Sequence, residues 1–450
     1  PQCIQVCLEL NLDNTERELN GLLAAMDFFK VREGLILTRD SRDLFVKEDK
    51  RSRSEDMDSK KQVLEIPYGT RDFLPMEAAE KRTIEEQLAE LFRAWGYDEV
   101  VTPTIEYLDT LTLESSRALD PHLFKLFDRT GGTMALRHEM TTPIARLAAS
   151  RLRDYPLPLK LSYHSNVFRY EEMQAGRQCE FYQSGVELMG AAGPGADAEI
   201  IALAVKGLLD AGLKDFTVCI GQVDFVSGLM EQYQISETAK GKLKAALEKR
   251  DLVLFEQLVD ALSLSESAAE TLNKLPLLSG GEELLTESYV LAISEKSRRA
   301  LDNLSAVYRL LKSYGVTKYI RFDLGIIRDF SYYTGLVFEI YTPELGFPLA
   351  GGGRYDHLLS DFGNPCPATG FAIGIERILL ALTRQGLARP KAAKDVYLSF
   401  APGLEATAIA EAKRLRAEGK VVELAPVGET EEAAKAMQEK KDYRELRYFA

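Results

Sequence analysis

LSYHSNVFRYEEMQAGRQCEFYQSGVELMG, residues 161–190, reads as two strands joined by a long polar loop, with Arg169 and Glu171 entering the loop and Gln183 and Glu187 leaving it. Side chains alternate across a strand, so Val167, Arg169 and Glu171 share one face, and Phe181, Gln183, Gly185 and Glu187 share one face of the second run. Charged and amide groups therefore stand where a core would put apolar ones. Two strands with a carboxylate and an amide or guanidinium on one face suit a floor that grips a small zwitterion. A solvent-facing sheet surface carries the same residue types, and the segment alone leaves that alternative open.

The bulk composition narrows the classes. A chain of 450 residues has length for two or three domains and a sizeable core. With 46% hydrophobic and 28% charged residues it is an ordinary globular composition. No apolar run is long enough to span a bilayer, and no basic segment followed by an apolar one opens the chain. The five cysteines, Cys3, Cys7, Cys179, Cys219 and Cys366, are scattered and odd in number, as expected of reduced thiols in a cytoplasmic protein. Cys3 and Cys7 lack a second Cys or His pair to complete a ligand set, so no metal is expected. A net charge of −13 argues against a global field that draws in nucleic acid.

Residues 1–45 read as a strand–helix–strand fragment, with the helix over Asn14 to Phe29, too small to bury its own faces. Residues 46–62 form a charged, solvated linker. From Ile66 the pattern is firm. A helix over Met76–Trp95 repeats Ile84, Leu88, Phe92 and Trp95 at helical spacing and ends at Gly96. Val100–Pro103 reads as an edge strand, since Pro103 lacks a ladder donor. Residues 63–389 form the core, interrupted by a helical insertion at about 223–314, and residues 395–450 alternate strand and helix as a small α/β unit.

The order of three pieces then matters: the edge strand with Pro103, the strand ending Phe168-Arg-Tyr-Glu171, and Gly370-Phe-Ala-Ile-Gly-Ile-Glu-Arg377. Together they resemble the three motifs of class II aminoacyl-tRNA synthetases. Arg328-Asp-Phe-Ser-Tyr-Tyr-Thr-Gly335 and Ala350-Gly-Gly-Gly-Arg-Tyr-Asp356 are similar to the two signatures of the histidine-binding branch. The resemblance covers about Ile66 to Leu382. It implies an α+β fold, an antiparallel sheet flanked by helices, that dimerises through its first motif.

Two families share that core: histidyl-tRNA synthetases, and the regulatory subunits of the short-form ATP phosphoribosyltransferase that opens histidine biosynthesis. Leu136-Arg-His-Glu-Met-Thr-Thr-Pro-Ile-Ala-Arg146, Gly185-Val-Glu-Leu-Met-Gly190 and Pro367-Ala-Thr-Gly-Phe-Ala-Ile-Gly-Ile-Glu-Arg377 resemble the regulatory family, although His138 stands where either family usually has Pro. Cys179 occupies a loop position where synthetases carry a second Arg, and the piece after Lys394 is short for an anticodon-binding domain, which argues against tRNA as a partner. Against this, Arg169 and Arg377 match the two class-defining arginines that grip ATP phosphates, so the synthetase alternative stays open; in the regulatory alternative these arginines pair with Glu171, Glu376 or other carboxylates.

In either family the resemblance implies a histidine pocket. Glu139 and Glu187 would take the ammonium, with Thr141 and Gln183 as neutral hydrogen-bonding groups. Arg169 would take the carboxylate, and Tyr332 and Tyr333, with Arg328 nearby, would wall the imidazole. Strand alternation predicts that one of the two tyrosines turns into the core. The implied function is that of a non-catalytic, cofactor-free regulatory subunit. It would form a homodimer, bind the short catalytic subunit and carry feedback inhibition by L-histidine. Because Met57 directly precedes the first firm domain, the functional protein is expected to start there. N-terminal mass spectrometry of the natively expressed product should find no start upstream of Met57.

Overall fold

The computed structural model describes residues 64–113, 122–170, 178–327, 332–387 and 394–450, together with four N-terminal strands. The chain divides into two compact units, residues 1–71 with 171–180 and residues 72–170 with 181–450.

In the first unit the strands lie in the order Cys3–Val6, Glu33–Thr38, Lys50–Asp56, Leu44–Lys47. The outer pair, Leu44–Lys47 with Lys50–Asp56, is antiparallel and the other pairings are parallel. This corrects the reading of residues 46–62 as linker throughout. Lys50–Asp56 contains neither Pro nor Gly, so its backbone donors and acceptors pair with Glu33–Thr38 although its side chains are charged or small. The helix expected over residues 14–29 lies outside the described residues. Cys179 donates its backbone N–H to the Gly69 carbonyl at 2.7 Å. Gly69 has φ +73°, and a Cβ there would sit 2.4 Å from the Cys179 sulfur, so only glycine fits.

A nine-stranded sheet organises the second unit. Its order is Ser279–Gly280, Ile320–Asp323, Thr217–Gln222, Leu336–Tyr341, Ala350–Arg354, Ala368–Gly374, Glu180–Met189, Leu159–Phe168, Asp98–Glu99. Antiparallel pairing runs from Thr217–Gln222 through Glu180–Met189, and the pairs Thr217–Gln222 with Ile320–Asp323 and Asp98–Glu99 with Leu159–Phe168 are parallel. One face of the sheet carries Val186, Leu188, Phe338, Ile340, Phe371 and Ile373 into the main core. Three helices cover that face, Pro75–Ala94, Pro194–Ala211 and Glu295–Tyr314, through residues such as Ile84, Leu88, Phe92, Ile200, Leu208 and Leu304. The first of them starts at a proline and is followed by Gly96 at φ +83°.

Two expectations shift. The edge strand is Asp98–Glu99 rather than Val100–Pro103, because pairing with Leu159–Phe168 ends once Val100 has donated to the Ser162 carbonyl and Pro103 has no donor to extend it. Between residues 223 and 314 the chain is mainly helical, and Ser236, Asp251, Ser265 and Ser294 cap four of the helices. It also contributes the short strand Ser279–Gly280 to the sheet edge. The C-terminal residues form a parallel three-stranded sheet ordered Val422–Leu424, Lys394–Phe400, Tyr443–Phe449, with helices Glu405–Ala417 and Glu431–Lys441.

Arg354 ties the sheet to the helix Pro194–Ala211. Its guanidinium pairs with the buried Asp197 at 2.8 Å and with Asp356 at 3.0 Å, and donates to the carbonyl of Gly193. Removing one partner of such a pair strands a buried charge. Arg354→Leu should lower unfolding free energy by about 3–5 kcal/mol in urea denaturation, whereas Arg414→Leu, at an exposed pair, should leave the urea midpoint nearly unchanged.

Candidate functional site

The face of the sheet opposite the main core carries the site. Glu187 points there because its neighbours Val186 and Leu188 point into the core. In register, Glu187 lies opposite Gly370, which lies opposite Gly353; one row along, Gly185 lies opposite Ala372, which lies opposite Gly351. The row is glycine for steric reasons. A Cβ on Gly370 would stand 2.0 Å from Glu187 Oε2, one on Gly353 3.0 Å from the Tyr333 ring, and one on Gly185 2.5 Å from Tyr163 Oη. The carboxylate and two phenols occupy the space that side chains would have filled.

Glu139 comes from the other side of this face, just ahead of the helix Thr141–Ser150. Its two oxygens accept the backbone N–H groups of Thr141 at 2.5 Å and Thr142 at 2.8 Å, so it caps the positive end of the helix. Thr141 then links the two acids, its hydroxyl donating to Glu187 Oε1 at 2.8 Å. The second oxygen of Glu187 accepts the Tyr355 hydroxyl. Glu139 and Glu187 are 4% and 1% exposed, and among the described residues no Lys or Arg side chain makes an ion pair with either. Burial raises the pKa of both; for Glu187, burial outweighs the Tyr355 and Thr141 hydrogen bonds and pushes it to about 8.

Aromatic rings close the pocket. Tyr332 and Tyr333 have ring centroids 4.9 Å apart, and Tyr332 stands edge-on to Tyr355 at 5.7 Å. The two differ in burial: Tyr332 is buried in an apolar cluster with Met140, Tyr163 and Tyr355, and Tyr333 packs against that cluster partly exposed. They lie in the turn before the strand Leu336–Tyr341, where period-two alternation does not apply. Sequence reading missed Tyr355 and Tyr163. The signal for Tyr355 was present, since Gly351, Gly353 and Tyr355 alternate onto one face.

The remaining candidates sit around this centre. Gln183 precedes Glu187 by four residues on the same strand face, opposite Gly374. Arg169 follows the strand Leu159–Phe168, lies over the Phe181 ring at 5.2 Å and donates through Nε to the His138 carbonyl at 3.0 Å. His138 itself is buried, and burial, with the Arg169 charge second, pushes its pKa down to about 3, so the ring is neutral. Arg377 lies over the Phe347 ring at 5.1 Å and donates to the Pro348 carbonyl. Glu376 accepts the Tyr182 backbone N–H with both oxygens, at 2.9 and 3.0 Å. Arg328 and Glu171 lie outside the described residues, and no cluster of three or more potential metal ligands occurs among the described ones.

The family described as Histidyl-tRNA synthetase matches residues 69–378. Among curated proteins, the ATP phosphoribosyltransferase regulatory subunit of Moorella thermoacetica is 46% identical over 80% of this chain and 92% of its own length. The protein of the same name from Desulforamulus reducens is 44% identical over 78% of this chain and 87% of its own. Among solved structures, one described as an ATP phosphoribosyltransferase regulatory subunit/histidyl-tRNA synthetase from Bacillus halodurans superposes with a TM-score of 0.78 at 39% identity, covering 86% of this chain and 98% of that one. Histidyl-tRNA synthetase from Nostoc sp. PCC 7120 shares the fold, with a TM-score of 0.72 at 22% identity over 84% of this chain and 89% of that one. Relatedness of this extent over a common core gives the two lineages one fold, and the higher identities fall on the regulatory side. The chain belongs to the ATP phosphoribosyltransferase regulatory subunits, the non-catalytic relatives of histidyl-tRNA synthetases.

Proposed function

We propose that this chain binds L-histidine between Glu139, Glu187 and the tyrosine wall, and passes its occupancy to a short-form catalytic subunit as feedback inhibition. The observation that carries this reading is the pair of buried acids joined through Thr141 with no ion pair among the described residues. Buried carboxylates are strongly disfavoured without a compensating charge. A ligand ammonium supplies that charge; Gln183, on the strand face of Glu187, and Arg169, a cation beside His138, are assigned to the other polar groups of the amino acid. Charge-assisted hydrogen bonds contribute about 1.5–3 kcal/mol each, and a few of them give micromolar affinity. Tyr332 and Tyr333 offer the imidazole an aromatic, hydroxyl-bearing wall. Arg328 is assigned to the same pocket on its motif alone.

The inhibitory signal requires histidine to favour one state of the complex, typically by about 1–3 kcal/mol. Homodimerisation through the first motif is part of the same reading. It is supported by the exposed Val101, Tyr107 and Phe127, the last two on the small sheet Ile105–Tyr107, Thr133–Leu136, Lys125–Phe127. No helix among the described residues is long and apolar enough to cross a membrane, and we place the protein in the cytoplasm.

Calorimetry should show histidine binding to the purified chain, and Glu139→Gln should weaken it at least tenfold. That variant keeps one acceptor for the Thr141 and Thr142 N–H groups and turns an amide NH2 towards the other, so its melting temperature should fall by a few degrees while the chain stays folded, and unchanged affinity would remove Glu139 from the pocket. Addition of the chain should activate a short catalytic phosphoribosyltransferase subunit. Robust histidine-dependent ATP–pyrophosphate exchange by the chain itself would overturn the regulatory reading in favour of a synthetase.

A further inference from the structure

The two acids of the pocket are not equivalent. Glu139 accepts two backbone N–H groups at the start of the helix Thr141–Ser150, donors that cannot rotate away and that favour a negative charge. Glu187 accepts only from hydroxyls, Thr141 Oγ1 and Tyr355 Oη, and a hydroxyl can act as donor or acceptor. Two adjacent buried carboxylates cannot both ionise without a large cost, because each raises the other. Burial raises both acids, and the fixed amide donors favour the charge on Glu139 over Glu187.

We propose that in the ligand-free protein Glu187 is a neutral carboxylic acid, and that the positive charge of an arriving ligand displaces its proton to solvent. In the exchange the carboxyl O–H bond breaks, the proton passes to buffer, and the carboxylate formed pairs with the ligand ammonium. The inference rests on the histidine reading for its ligand, but the protonation of Glu187 stands on this geometry alone.

The groups that face Glu187 leave the proton no other obvious home. From the helix side these are Glu139 and Thr141; from the strand Leu159–Phe168, Tyr163; from the turn, Tyr332 and Tyr333; from the residue after the glycine strand, Tyr355. Burial, followed by the nearby acids and phenols, holds Tyr163, Tyr332 and Tyr355 far above the ordinary tyrosine pKa, so all three stay protonated. Arg169 remains a cation, and the buried His138 beside it is neutral. The position of Glu187 near 8 places its proton within the physiological range. Its folded pKa is raised, so below about pH 8 the ligand-free site is protonated and a cationic ligand must compete with that proton, whereas above it the competition disappears.

Infrared difference spectroscopy on the full chain, with and without L-histidine at pH 7, tests the assignment directly. A protonated-carboxyl band should be present in the ligand-free protein, vanish on histidine addition, and be absent from Glu187→Gln. Calorimetry in two buffers of different ionisation enthalpy should report release of about one proton per site, falling towards zero in Glu187→Gln. A ligand-free spectrum without such a band, or a band or proton release that persists in Glu187→Gln, would overturn the proposal. Failure of histidine to bind in any buffer would instead refute the histidine reading, and the ligand-free spectrum would still decide the state of Glu187.

Discussion

A carboxylate on the buried face of a sheet needs space, donors and a counter-charge, and the arrangement around Glu187 answers these in turn. Space comes from Gly370 and Gly353, where side chains would collide with the acid and with Tyr333. Donors come from Thr141 and Tyr355, brought in by a helix on one side and by the end of the glycine strand on the other. The counter-charge is not supplied by any described Lys or Arg. An apolar side chain would fill this place at less cost, and the acids instead stand there on hydroxyl and amide donors alone among the described residues.

The fold was legible because its elements carry strong local signals. The Pro75–Ala94 helix has period-3.6 apolar residues, a proline start and a glycine after its end, and the Glu180–Met189 strand sets Gln183, Gly185 and Glu187 on one face against Val186 and Leu188 on the other. What was not legible turned on pairing rather than propensity. Lys50–Asp56 is a strand because a neighbour offers it a ladder, and Val100–Pro103 is not one because its ladder stops. Ser279–Gly280 reaches the sheet edge from within a helical stretch, a long-range contact that no window of sequence reports.

The site was legible in part, for related reasons. Glu139, Thr141 and Glu187 came from a motif resemblance, and the geometry brings them into one hydrogen-bonded chain. Tyr163 was hidden by its neighbours' chemistry: on a strand rich in serine, histidine and asparagine, a tyrosine reads as packing. Alternation from Leu161 to Val167 puts it on the pocket face, and the missing side chain of Gly185 leaves room for its hydroxyl. Glycines that lack any turn signal, such as Gly185, Gly353 and Gly370, are thus informative about what lies above them.

The arginines show where a motif stops being evidence of chemistry. Arg169 and Arg377 match the positions that grip ATP in synthetases, yet each is also held by the protein itself, lying over a phenylalanine ring and donating to a backbone carbonyl. Such anchoring serves two ends equally well. It preorganises a guanidinium for a phosphate, and it rewards keeping the arginine once phosphate is no longer bound, because removal would leave a carbonyl and an aromatic face unsupported. Arg354 marks the architectural extreme, with Asp197, Asp356 and backbone carbonyls as its partners. Arginines anchored in this way are kept by the fold whether or not a phosphate is bound, so their presence in a class-defining motif is by itself no evidence of the reaction.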